Sequence, residues 1–195
     1  MPQPERLLYE EGYRFVAGTD EAGRGPLAGP VVAAAVILPA GWHHPGIKDS
    51  KKLSARAREE LFGVITEAAV SWNWAGVEAP DIDRINILQA SLLAMRTAVL
   101  GLDPAPEYLL VDGPHGVPGP MPHAAITRGD QKSQLIGAAS IIAKVVRDAI
   151  MEKYDRLFPA YHFSKNKGYG TAAHLQALAR HGQCSLHRRS FRVSF

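Results

Sequence analysis

Cysteine is almost missing from this 195-residue chain, with Cys184 its single example. A lone thiol closes no intrachain disulfide and supplies no zinc cluster, so structural zinc is excluded and a reducing compartment is expected. Long apolar runs are missing as well: the longest, residues 30–39, has half the length of a membrane helix, about 20 residues. Residues 1–15 carry Glu5, Glu10 and Glu11 and no apolar leader core, so a cytoplasmic protein without a membrane partner is expected. The eight histidines show no HExxH spacing, and the G-x-S-x-G elbow of a serine hydrolase is absent. No Gly-Lys-Ser/Thr follows a glycine-rich loop, which removes the Walker nucleotide site. The most informative absence is one of charge: no acid follows Asp155, so residues 156–195 carry Arg156, Lys165, Lys167, Arg180, Arg188, Arg189 and Arg192 unopposed.

The net charge of +3 conceals this segregation. A basic stretch that also holds Tyr161, Phe163, Tyr169 and Phe191 suits a polyanion such as nucleic acid, although a solvated basic tail has the same composition. Hydrophobic residues make up 46% and charged ones 21%, proportions of a globular domain with a sizeable core. The pattern alternates strands and helices. Strands are expected at residues 13–19, 31–38, 72–79, 107–111 and 124–127. Ser54 caps a helix to Val70, Asp81 or Asp83 opens another to Leu100, and a core helix, apolar around most of its circumference, runs from near Asp130 to about Arg156. A last helix, capped by Thr171, stops at Gly182.

Three acidic positions stand where strands or turns end: Asp20 with Glu21, Asp112, and Asp130. In an open α/β sheet such ends present functional groups, and carboxylates brought together need a compensating hard cation such as Mg²⁺ or Mn²⁺. Taken singly, Asp112 also reads as a turn residue and Asp130 as a helix cap. Between the first strands lies GRGPLAG, one residue off a dinucleotide fingerprint. Gly23 and Gly25 permit close approach of backbone N–H groups to a ligand oxygen beside Arg24, or simply form a tight turn. Lys51 and Lys52 in DSKKL are solvated lysines in most proteins and phosphate contacts beside a polyanion.

The segments GTDEAGRGPLAGPVVAAAVIL, DSKKLS, LLVDG, GDQKSQLIGAASIIAKVVRD and NKGYGTAAHLQALARHGQCSLHRRSF together resemble, in order and spacing over residues 13–192, bacterial type 2 ribonuclease H, ribonuclease HII. The resemblance implies an α/β, ribonuclease H-like mixed sheet flanked by helices. It makes residues 1–195 one domain with 156–195 as a basic, helical substrate-binding extension. By position it makes Asp20, Glu21, Asp112 and Asp130 the catalytic, metal-binding carboxylates for two ions, Mg²⁺ or Mn²⁺. Gly23, Arg24 and Gly25 become the ribose-recognition motif and Tyr169 the ring that stacks on the sugar beside the RNA–DNA junction. Lys51, Lys52, Lys165, Lys167, Arg188 and Arg189 complete the expected substrate contacts.

The implied activity is endonucleolytic cleavage of RNA in RNA/DNA hybrids and of single ribonucleotides embedded in DNA, leaving 3′-hydroxyl and 5′-phosphate ends, with a monomer expected. One geometric difficulty stands out: neighbours on a strand face opposite ways, so Asp20 and Glu21 share a metal only if the strand breaks there, or if Glu21 acts through its carbonyl or a water. Type 3 ribonuclease H is the nearest enzyme alternative, but it carries an added N-terminal domain and a different residue between the two glycines. A non-catalytic hybrid-binding protein is the other, and the intact acids argue against it.

Overall fold

The computed structural model describes residues 3–47 and 53–192; Lys51 and Lys52 lie outside the described residues. Its elements in chain order are α1 (Pro4–Glu10), β1 (Val16–Ala22), β2 (Val31–Ile37), α2 (Ala55–Ala68), β3 (Ser71–Val77), α3 (Ala79–Ile85), α4 (Ile87–Leu100), β4 (Tyr108–Asp112), β5 (His123–Ile126), α5 (Gln134–Leu157), α6 (Phe163–Asn166) and α7 (Ala172–His181). The strands form one mixed sheet in the order β3-β2-β1-β4-β5. β1, β2 and β3 pair antiparallel, whereas β4 lies parallel to β1 and β5 parallel to β4.

β2 is apolar and buried throughout because both sheet faces are covered. Val36 and Leu110 join Leu61, Ile65, Ile136 and Ile142 in a core on the α2/α5 side, while Ala33, Ala35, Leu109 and Val111 join Ala94, Met95 and Ala98 on the α4 side. Alternate strand residues thus feed opposite cores. Helix α5 lies so close to β1 that a Cβ on Gly18 would stand 2.3 Å from the backbone carbon of Leu135. Glycine at 18 therefore sets the depth at which the core helix seats, two residues before Asp20.

Several boundaries differ from the sequence reading, each for a local reason. The helix expected from Asp81 or Asp83 to Leu100 is two helices, because Asn86 adopts φ 67° and its side chain caps α4 through the N–H groups of Leu88 and Gln89. Asp83 does not open a helix; it accepts hydrogen bonds from the backbone of Arg189 and Ser190. The core helix begins at Gln134 with Ser133 as its cap, and Asp130 sits in a preceding 3₁₀ turn, Gly129–Gln131. Helix α1 was not foreseen. Its buried Glu5 accepts the N–H of Gln134, an anion placed at the first turn of α5. A third apolar cluster, with Met151, Tyr161, Phe163, Ala177 and Leu178, seats the C-terminal segment on α5.

Candidate active site

The parallel pairing of β1 with β4 brings Thr19 opposite Val111, so Asp20 and Asp112 follow as neighbours at the same end of adjacent strands. By the parity that sends Val16 and Leu110 toward α5, both carboxylates leave the sheet on the α5 side. Asp20 is buried; the N–H of Glu21 donates to its Oδ1 at 2.7 Å, and the Ser140 hydroxyl of α5 hydrogen-bonds it. Burial, followed by the charges of Glu21 and Asp112, nevertheless holds its carboxyl well above the ordinary aspartate range. Asp112 Oδ1 accepts the Gly129 N–H at 2.6 Å, which ties the end of β4 to the turn holding the buried Asp130. Asp112 thus braces a remote segment instead of closing its own turn, and Ser133, not Asp130, caps the helix.

Pairing of β1 with β2 continues through Ala22, so the strand does not break at Glu21 as one sequence reading required. The Glu21 side chain instead meets Arg24, Nη1 to Oε1 at 3.2 Å. Burial pushes Glu21 above its usual range against the pull of the Arg24 guanidinium. Among the described residues, no three acidic, histidine or cysteine side chains form a closed ligand cluster. The fit to a metal lies in the donor set and the charge. Asp20 feels the charges of two neighbouring carboxylates, Glu21 and Asp112, and hard divalent cations select such oxygen donors. An ion taking Glu21 would compete with Arg24 for it.

The loop after β1 is held from beneath by two buried arginines. Arg188 donates to the carbonyls of Gly23, Arg24, Pro26 and Gly29 at 2.6–3.0 Å. Arg147 donates to Ala28 and Pro30, and a Cβ on Gly23, which has φ +95°, would stand 2.0 Å from its Nε. Both arginines are 1% exposed. With the carbonyls turned inward, the N–H groups of Arg24 and Gly25 donate to no backbone acceptor among the described residues. Across the opening stands the half-exposed Tyr169, its ring 3.8 Å from where a Cβ on Gly25 would lie. These groups border a cleft of about 350 Å³ that also admits Arg58, Ser140 and Lys144.

Of the residues expected from the sequence, the cleft collects Glu21, Gly23, Arg24, Gly25 and Tyr169; Asp20 and Asp112 are neighbours at the strand ends, and Asp112 is tied to the turn that holds Asp130. Arg188 is a correction: it is buried with its donors on loop carbonyls, so it cannot be a phosphate contact. Lys167 forms an ion pair with Glu152 at 2.7 Å, while Lys165 and Arg189 are exposed. Arg58, Ser140, Lys144 and Arg147 were missed. The last three carried a signal, a polar stripe at i, i+4 and i+7 interrupting and closing the apolar stretch at residues 135–146; Arg58 carried none.

Fold and site together define a class, a ribonuclease H-like mixed sheet whose central strands end in carboxylates. The ribonuclease HII family matches residues 17–195, and this chain belongs to that family. It is 57% identical over 189 residues to the ribonuclease HII of Syntrophus aciditrophicus, covering 97% of this chain and 89% of that relative. Among solved structures, the RNase HII of the PCNA:RNase HII complex from Archaeoglobus fulgidus aligns with a TM-score of 0.78 and 27% identity over 93% of this chain and 96% of that one. The ribonuclease H2 from Pyrococcus horikoshii OT3 aligns with a TM-score of 0.74 and 25% identity, covering 91% and 93%. Type 3 ribonuclease H, the enzyme alternative, is not favoured.

Proposed function

We propose that Asp20, Asp112 and Asp130, with Glu21 acting through its backbone carbonyl or a water, hold two divalent ions, Mg²⁺ or Mn²⁺, with which the chain cuts on the 5′ side of ribonucleotides embedded in duplex DNA and along RNA/DNA hybrids. The reaction class follows from the family: a metal-dependent endoribonuclease acting on RNA/DNA hybrids and embedded ribonucleotides. The observation that carries the site is the pair Asp20 and Asp112, at the same end of adjacent parallel strands, with Asp20 buried and raised by burial and by the charges of Glu21 and Asp112. Ions held by these carboxylates would supply a nucleophilic water and stabilise charge on the leaving oxygen; water attack at phosphorus with scission of the P–O3′ bond leaves 3′-hydroxyl and 5′-phosphate ends.

The remaining steps belong to the chain's own groups. Asp20 and Asp112 are held in place by β1 and β4, and Asp130 by the turn that Asp112 anchors. The N–H groups of Arg24 and Gly25, which donate to no backbone acceptor among the described residues, suit the oxygen of the 2′-hydroxyl as acceptor. Gly23 gives the loop its positive φ over Arg147, and Arg24 adds a charged donor. Tyr169 packs its ring on the adjoining deoxyribose, where a second 2′-hydroxyl would clash. Lys165, Lys167 and Arg189, together with Lys51 and Lys52, take phosphates of the duplex, and Arg188 holds the loop beneath. No described helix is long and apolar enough to cross a membrane, and a DNA substrate fits a cytoplasmic site of action.

The test uses three end-labelled duplexes: plain DNA, DNA with one ribonucleotide, and a continuous RNA/DNA hybrid. Cleavage of the last two with Mg²⁺ or Mn²⁺, at the 5′ side of the single ribonucleotide and abolished by chelation, is expected. Cleavage of plain DNA, or cleavage in the presence of chelator, would contradict the reading.

A further inference from the structure

The C-terminal segment contains a buried polar construction that the reaction itself does not use. His174 is 0% and His187 3% exposed, and their Nε2 atoms are 3.0 Å apart. The outer ring nitrogens also have partners. His187 Nδ1 lies 2.9 Å from the backbone N–H of Cys184 and 3.2 Å from its Sγ, and His174 Nδ1 lies 2.9 Å from the carbonyl oxygen of Tyr169. These partners leave one arrangement of protons. Because Cys184 donates to His187 Nδ1, the proton of a neutral His187 sits on Nε2 and points at His174 Nε2. His174 therefore carries its proton on Nδ1 and donates it to Tyr169. A further proton on either ring would set two N–H groups against each other, and burial pushes both histidines toward the neutral form.

The next residue extends this connection to the loop. Arg188 spends its guanidinium on the carbonyls of Gly23, Arg24, Pro26 and Gly29, while its own N–H donates to Leu27. Residues 187 and 188 are thereby joined, on one side through His174 to the carbonyl of Tyr169 and on the other to the turn at residues 23–29. Two apolar side chains would fill this space against Tyr161 and Phe163 without the desolvation cost of two buried imidazoles. What apolar residues would not provide is a second, side-chain donor on the Tyr169 carbonyl, which the Thr171 N–H already meets at 2.8 Å from its own loop.

We infer that His174 and His187 are positioning residues: a relay of fixed tautomers that, with Arg188, sets Tyr169 relative to residues 23–25 and so governs discrimination of the ribonucleotide junction. The inference rests on the reading that Tyr169 packs on the sugar at that junction. Groups facing the pair are Tyr161, Phe163, Cys184 and each other, with His181 on another edge of the Tyr161 ring.

Two measurements test it. Side-chain ¹⁵N–¹H correlation spectra of the intact protein at neutral pH are expected to show the proton on Nδ1 of His174 and on Nε2 of His187; the opposite tautomer or a charged ring at either position overturns the relay. The second is the ratio of kcat/KM on one embedded ribonucleotide to that on a continuous hybrid. His174→Leu should lower this ratio on the order of tenfold, while KM on the continuous hybrid stays within about twofold. His174→Asn, whose amide can donate from near the Nδ1 position, should restore most of it, and in a Tyr169→Ala background His174→Leu should change the ratio no further. An unchanged ratio in Tyr169→Ala would remove the tyrosine reading itself. A lowered ratio in Tyr169→Ala that His174→Leu fails to reproduce, or that falls again in the double variant, would leave the tyrosine reading standing and overturn the relay.

Discussion

Charge alone does not reveal what an individual basic residue does, and Arg188 is the clearest case. In the sequence it belongs to an acid-free stretch and reads as a phosphate contact; in the fold it is the buried support of the loop at residues 23–29. Removing it leaves several buried carbonyls without donors, each costing about 1–3 kcal/mol. Arg188→Met should therefore lower the urea midpoint strongly while leaving the salt dependence of duplex binding unchanged; full stability with a flatter salt slope would restore the phosphate reading. The acids stood out at strand and turn ends, but Asp112 and Asp130 each had a structural reading as turn and cap, and only the family resemblance joined the four into one expected site. Ser140 and Lys144 were not singled out because a polar stripe on a core helix reads as its solvent edge until β1 is known to pack on it.

At the scale of elements, hydrophobic periodicity located all five strands and the long core helix, with boundaries shifted by a few residues. Two features were decided by side chain-to-backbone bonds that periodicity does not register: the break at Asn86, and helix α1 with Glu5 on the first turn of α5. The C-terminal helical portion depends on another such set, the histidine pair. Burial and the neighbouring His174 push His187 down to about 4, from an ordinary histidine value near 6.5. Between those values the unfolded chain binds a proton that the folded chain does not, so stability is lost as the pH falls from about 6.5 toward 4, by at most about 1.4 kcal/mol per pH unit for one group. Urea unfolding at pH 7 and pH 5 should show this loss, and His187→Gln should show a smaller one. An equal loss in both proteins would mean that His187 already titrates normally in the fold.

For the whole molecule, charge segregation was the earliest sign of a partner, and its exposed part remains the best candidate for the duplex. Lys165 and Arg189 are exposed at the surface, whereas Lys167 is shared with Glu152. Each lost phosphate contact flattens the slope of log K against log salt by about 0.9. Lys165→Ala with Arg189→Ala should therefore reduce the slope by nearly 2 in all, and equally for hybrid and plain duplex, since phosphate contacts carry no sequence information. An unchanged slope would make this surface a solvated one. What the sequence could not supply at this scale is the convergence of β1, β4, α5 and the segment at residues 186–188, which depends on the parallel pairing of strands some ninety residues apart.

The assignment of the acids is tested most directly by Asp20→Asn and Asp112→Asn, assayed on duplex DNA with one embedded ribonucleotide at saturating Mg²⁺ and again at saturating Mn²⁺. Each substitution removes a repelling charge from a crowded site and leaves the packing intact, so thermal unfolding should occur at or above the wild-type temperature. Cleavage should fall by several orders of magnitude with both ions. Cleavage near the wild-type rate by either variant would contradict the placement of the metal centre at the ends of β1 and β4.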